Sequence, residues 1–225
     1  MITEPDRMLG RALAYARQGW PVFPCRPGGK EPATRHGFRD ATTDDNQLRS
    51  WWNRQPGANI AVVTGTPGPD VLDVDQHGDA GSGFAACRQL SKAGLLDGAG
   101  ALVATPHAGL HLYFTGSRQR SGRLRRHHLD FRAAGGYVLV PPSQVTDTEY
   151  RLIRHSSRLG GLDWSAVTGM LEPERSRPGR STGAAVVDTS RLVAWVARLE
   201  KSNRNCGLFW AACRAAEAGQ HHLFD

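Results

Sequence analysis

The chain has 225 residues, 40% of them hydrophobic, and a formal net charge of +7, enough for one domain with a proper core plus a small appendage and a weak pointer to a polyanionic partner. It shows no run of eighteen apolar residues and no charged, apolar, then small-residue leader, which argues against membrane spanning or secretion and for a cytoplasmic protein. Cys25, Cys87, Cys206 and Cys213 are scattered and form no C-x-x-C pair, which argues against a zinc ribbon or a disulfide framework and fits free thiols.

From Asp6 to Gln18, Met8, Leu9, Ala12, Leu13 and Ala16 recur at helical spacing and Gly19 ends the run, so a helix is expected. Trp20 to Pro24 reads as a short buried strand, and Cys25 to Phe38 as a Gly/Pro-rich loop carrying Lys30. A loop lysine between Gly29 and Pro32 is either ordinary surface or a contact to a phosphate. Thr43 to Gln55 predicts a second helix capped by Thr43 or Asp44, with Trp51 and Trp52 in the core rather than stacked on bases. Asn59 to Thr64 is an apolar strand.

Val71-Leu72-Asp73-Val74-Asp75 is a strand between turn-prone segments, and positions i and i+2 of a strand share a face. Asp73 and Asp75 therefore point the same way, and two like charges that close call for a cation between them. The plainer reading is that Asp75 opens a turn while Asp73 lies half buried against a basic neighbour. Residues 82–93 suggest a third helix and Ala101 to Thr105 another strand.

In Thr105 to Phe114, Gly109, His111 and Tyr113 fall on one face and Leu110, Leu112 and Phe114 on the other. His107 stands four residues before His111. Next comes a basic run without an acid, Arg118, Arg120, Arg123, Arg125 and Arg126, followed by His127 and His128. Such a run is a solvated loop or a contact to a phosphate backbone. Leu129-Asp130-Phe131-Arg132 repeats the alternation, with Asp130 and Arg132 on one face. After Gly135-Gly136, the apolar Tyr137 to Val140 ends sharply at Pro141-Pro142-Ser143, and Glu149 to Ile153 is a further strand. Composition shifts to Arg, Pro, Gly and Ser over 172–185, a linker, beyond which 189–200 and 205–218 have helical periodicity. Three strands thus carry apolar residues on one face and ionisable residues on the other. Carboxylates for metals and cations for phosphates match metal-assisted phosphoryl transfer.

On these residues the chain resembles the primase-polymerase (prim-pol) family of the archaeo-eukaryotic primase superfamily, over about residues 8–155. The resemblance rests on Asp73 with Asp75, Gly109-Leu110-His111 and Leu129-Asp130, in that order, and on Lys30, Trp51-Trp52, Asn59-Ile60 and Gly135-Gly136-Tyr137 leading to Pro141-Pro142-Ser143. It implies an α+β fold: an archaeo-eukaryotic primase-type core with an RRM-like mixed or antiparallel sheet flanked by helices, then a small C-terminal helical segment. The expected boundaries are 1–172 for the catalytic domain, 173–188 for the linker and 189–225 for the helical segment. It further implies that Asp73, Asp75 and Asp130 hold two Mg²⁺ or Mn²⁺ ions, with no zinc. His111 would contact the triphosphate, assisted by Arg132, His107, Lys30 and Ser143. Gly109 replaces a serine that many relatives carry. The implied substrates are NTPs or dNTPs on a single-stranded DNA template, with a separate helicase as partner and no membrane. A metal-dependent nuclease, or a non-catalytic nucleic-acid-binding module acting through Arg118, Arg120, Arg123, Arg125 and Arg126, remains as an alternative.

Overall fold

The computed structural model describes residues 4–78, 81–156 and 159–173 and the isolated positions 194, 197 and 198. Residues 1–173 make one compact unit and 174–225 another; the helices expected at 189–200 and 205–218 lie outside the described residues apart from those isolated positions. Among the described residues no helix is long and apolar enough to cross a membrane.

The first unit runs α1 (Glu4–Arg17), β1 (Val22–Cys25), α2 (Asp45–Arg54), β2 (Asn59–Thr64), β3 (Asp70–Val74), α3 (Phe84–Lys92), β4 (Ala101–Ala104), β5 (Leu110–Phe114), β6 (Gly122–Leu124), β7 (Leu129–Arg132), β8 (Gly136–Leu139), β9 (Gln144–Val145), β10 (Thr148–Glu149), β11 (Arg151–His155) and α4 (Trp164–Leu171). A three-stranded sheet has the order β1-β2-β8, a six-stranded sheet the order β11-β4-β5-β3-β7-β6, and β9 and β10 pair as a hairpin. Every pairing between these strands is antiparallel. The fold is α+β, as expected.

Local chemistry accounts for the elements. Met8, Ala12, Leu13 and Ala16 form the buried stripe of α1. The Asp44 carboxylate accepts from the Asn46 amide at 2.9 Å and caps α2, which buries Leu48 and Trp52; the Trp52 indole N–H donates to the Ala58 carbonyl. Both tryptophans serve the core, Trp51 packing against it from a partly buried position.

The six-stranded sheet has two different faces. Its back buries Leu72, Val74, Leu112, Phe114, Leu129 and Phe131 with Ala86 and Leu90 of α3 and Val167 of α4. Helix α4, which the sequence reading left unassigned, is fixed by Trp164, whose ring stacks on Phe131 with centroids 5.1 Å apart. The front was expected to be polar, yet Val71, Val103, Tyr113 and Tyr150 join the core formed by α1, α2 and the three-stranded sheet. The sheet is therefore packed on both sides, and its ionisable residues sit where the front cover is incomplete. Two hydrogen bonds tie the layers together: Thr64 Oγ1 donates to the Ala133 carbonyl at 2.7 Å and the Tyr15 hydroxyl to the Pro141 carbonyl at 2.9 Å.

Candidate active site

Residues directly opposite one another on paired strands share a face, so register decides which side chains meet. Asp73 on the central strand β3 stands opposite His111 of β5 on one side and Asp130 of β7 on the other. His111 in turn faces Val103 of β4, and Asp130 faces Arg123 of β6. One transverse row thus reads Val103, His111, Asp73, Asp130, Arg123. Arg132 lies two residues along β7 from Asp130. Asp75 lies just past the end of β3, pinned by its amide donating to the His128 carbonyl at 3.0 Å and by the Gly83 amide donating to its carbonyl at 2.9 Å.

Burial by itself would raise the Asp73 pKa. A hydrogen bond from His111 and the charges of His111, Arg132 and Lys30 outweigh it and hold the carboxyl below its ordinary value. The His111 Nε2 atom lies 3.4 Å from Asp73 Oδ1. Asp75 moves the other way: burial first, then the charges of Asp73 and Asp130, raise its pKa against the weaker pull of His77 and Arg123. The two carboxylates thus differ in their neighbours: Asp73 has His111, Arg132 and Lys30, while Asp75 feels burial and the charges of Asp73 and Asp130. Asp130, 5% exposed, is neutralised differently, because Arg132 Nη2 donates to one oxygen at 2.7 Å and Arg123 Nε donates to the other.

His111 is 4% exposed, its Nδ1 atom is buried with no hydrogen-bond partner among the described residues, and its ring lies 5.5 Å from that of Tyr150 and 6.1 Å from that of Tyr113. Lys30 is exposed in its loop, anchored by its carbonyl accepting from the Tyr137 hydroxyl at 3.2 Å, and its charge reaches Asp73. His107 is exposed in the turn between β4 and β5. Ser143 is not brought to the row. It is fully buried, accepting from the Ile60 amide at 2.8 Å and donating to the Ile60 carbonyl at 3.0 Å, so its hydroxyl is spent on joining a loop to β2.

The arginine-rich segment divides. Gly122 to Leu124 is an edge strand, which sends Arg123 into the row. Arg125 and Arg126 lie in a single turn of 3-10 helix, and they, like Arg118 and Arg120, are exposed away from the carboxylates. Two histidines absent from the expected site border it: His77 Nε2 is 3.8 Å from Asp75 Oδ2, and the His77 and His128 ring centroids are 5.4 Å apart. At Gly109 a Cβ would fall 2.6 Å from the Val74 carbonyl oxygen and 2.8 Å from Thr105 Oγ1. Close approach of β3 requires the glycine, and Thr105 supplies a hydroxyl to the space a serine there would use.

Hard carboxylate oxygens suit Mg²⁺ or Mn²⁺, and the charge of Asp73, after burial, helps to raise the Asp75 pKa, a repulsion that a cation would relieve. Asp73 and Asp75 fit such an ion. Asp130 joins them only by giving up an arginine, and among the described residues no three acidic, histidine or cysteine side chains converge on one point as they stand.

A family model described as bifunctional DNA primase/polymerase, N-terminal, matches residues 12–168, which is well over half of the chain and spans every residue of the row. A search of curated proteins gave no match.

Proposed function

The chain belongs to the bifunctional DNA primase/polymerase family, and we propose that it makes and extends primers by template-directed nucleotidyl transfer from NTPs or dNTPs on single-stranded DNA. One observation carries this reading: the register that sets His111, Asp73 and Asp130 side by side on three central strands, with Asp75 beside them.

Asp73 and Asp75, with Asp130 once an arginine yields an oxygen, would hold the Mg²⁺ or Mn²⁺ ions. When bound there, two ions would make the attacking 3′-hydroxyl more acidic and offset the charge of the triphosphate and the leaving pyrophosphate. The chain's own groups do the rest. His111 keeps Asp73 ionised by the hydrogen bond that offsets burial, so the carboxylate is ready at neutral pH. Arg123 and Arg132 already make charge-assisted bonds to carboxylate oxygens, and the same planar fork accepts phosphate oxygens in their place. Phosphate arriving at either arginine thereby frees an Asp130 oxygen. Lys30 adds positive charge on the loop side, and the exposed Arg118, Arg120, Arg125 and Arg126 offer sequence-independent contacts to a template backbone.

A second reading has an observation of its own. Asp130 neutralised by two arginines is also what a non-catalytic nucleic-acid-binding module would show. The test is incorporation of labelled NTPs and dNTPs on single-stranded DNA, with and without a primer, in Mg²⁺ and in Mn²⁺, for wild type and Asp73→Asn/Asp75→Asn. Product lost in the double variant supports the enzyme. Folded wild type that binds DNA and makes no product in any condition overturns it in favour of the binding module, and triphosphate-independent cleavage would point to a nuclease.

A further inference from the structure

The six-stranded sheet ends on β11, and all five residues of that strand are exposed. β4 takes one edge of it; along the other, among the described residues, no strand pairs, and the outward backbone groups have no partner. Such an edge is a row of donors and acceptors that an extended chain can complete. Proteins that keep an edge idle blunt it with charged side chains, whereas here Leu152 is 44% and Ile153 53% exposed.

Register shows what a chain laid along that edge would meet. Leu152 pairs with Val103 and His155 with Ala101, while Arg151 pairs with Ala104 and Arg154 with Leu102. Val103 and Ala101 belong to the front core; Leu102 packs into the back one, and so does Leu110, the partner of Ala104 on β5. Leu152 and His155 therefore lie on the front of β11, and both arginines on its back. Arg151 and Arg154 are three apart in sequence, and regular alternation would set them on opposite faces. The register shift between Leu152 and Arg154 makes Ile153 an extra residue and brings the arginines together.

On the front, Leu152 and Leu159 border a pocket of about 380 Å³ between β11 and α1, lined also by Val140, Pro141 and Arg11. Neither that lining nor β11 contains an acid. One open edge thus offers apolar surface on one face and positive charge on the other.

We propose that β11 takes an additional strand from a partner protein: an extended segment in which acidic and apolar residues alternate, the apolar ones turned to the pocket beside Leu152 and the acidic ones to Arg151 and Arg154. Backbone pairing supplies affinity, and side chains of period two supply selectivity. Opposite charges across a strand pair are favourable and like charges are not. A second copy fits less well, because a two-fold pairing of β11 with itself sets the arginines of both copies on one face. A phosphate backbone would use the arginines and leave the apolar face idle. The proposal uses none of the carboxylates and does not rest on the polymerase reading.

The test is fluorescence anisotropy of the full chain with a labelled heptapeptide alternating Asp and Leu. Its controls are a peptide of the same composition arranged in two blocks and an alternating peptide with Lys in place of Asp. The Asp-Leu alternation binds, and both controls bind at least about tenfold more weakly. Leu152→Asp, at an exposed position, and Arg151→Glu/Arg154→Glu each weaken it by about tenfold or more, and the double variant comes to prefer the Lys peptide. N-methylation abolishes binding at one alternate set of peptide amides and spares it at the other, as a single paired edge requires. No binding of the Asp-Leu peptide at about 1 mM, equal binding of the block peptide, or unchanged affinity in both folded variants overturns the proposal. An oligothymidylate that binds more tightly than the peptide, and loses that advantage in Arg151→Glu/Arg154→Glu, overturns it in favour of a template contact.

Discussion

Asp75→Asn should make the metal-free protein more stable while abolishing synthesis. Asp73 and Asp75 are two residues apart along a strand, about 7 Å at the usual rise, and two unit charges at that distance repel by about 2 kcal/mol at an effective dielectric of 20. The Asp75 side chain keeps 31% of its exposure, so water screens part of this, and about 1 kcal/mol is the expected gain from neutralising it. In a domain of this size that raises the melting temperature by about 2–4 °C. The assay is calorimetric unfolding in EDTA near neutral pH, repeated with Mg²⁺ or Mn²⁺ and again at acid pH. The sign with pH is defined: the folded Asp75 pKa lies above its unfolded value, so folded Asp75 takes up its proton before an unfolded aspartate does. As pH falls through that folded value, wild type comes to resemble the amide variant and the difference closes. Added metal should stabilise wild type and leave Asp75→Asn little changed. A variant no more stable than wild type in EDTA near neutrality, or one whose advantage persists at about pH 3, below the ordinary aspartate range, would refute the repulsion.

His111→Ala removes the hydrogen bond that holds Asp73 below its ordinary pKa, so the acid limb of the pH–rate profile should move to higher pH; an unshifted limb would separate His111 from Asp73. Asp70 is fully buried and accepts from the Ser117 hydroxyl at 2.6 Å and amide at 3.2 Å, so Asp70→Ala should cost about 3 kcal/mol in urea unfolding while incorporation survives at low temperature. Gly109→Ala places a methyl 2.6 Å from the Val74 carbonyl oxygen and should cost about 1–3 kcal/mol, again read by urea unfolding; a neutral result would mean that β3 and β5 part easily.

Period-two alternation along β3, β5 and β7 carries the faces directly, which is why Asp73, His111, Asp130 and Arg132 could be placed on one surface from sequence. What lay opposite what could not be read, because register is set by loops and by the back core. Gly122-Arg123-Leu124 is too short for alternation to register, so an edge strand was hidden in a run of arginines, and with it the ion pair of Arg123 with Asp130. Tyr113 read as part of a chemical face and instead belongs to a second core, since a tyrosine suits either setting. The resemblance implies that Ser143, after two prolines, assists at the triphosphate, but its hydroxyl satisfies both backbone groups of Ile60, a use of serine that only tertiary structure discloses.

The pairing of β3 with β7 sets Asp73 opposite a carboxylate that two arginines neutralise. A slip of one residue would turn Asp130 into the apolar back of the sheet, which hydrophobic burial forbids. A slip of two keeps every face as it was, yet sets His128 or Arg132 opposite Asp73 in place of Asp130. Face polarity alone does not choose between these alignments. The native one is held by the backbone bond from Asp75 to His128 and by Leu129 and Phe131 seated among α3 and α4. Evolution can therefore lengthen the loops around these strands only where that anchor survives, and substitutions that loosen the back of the sheet should erode activity before they erode folding.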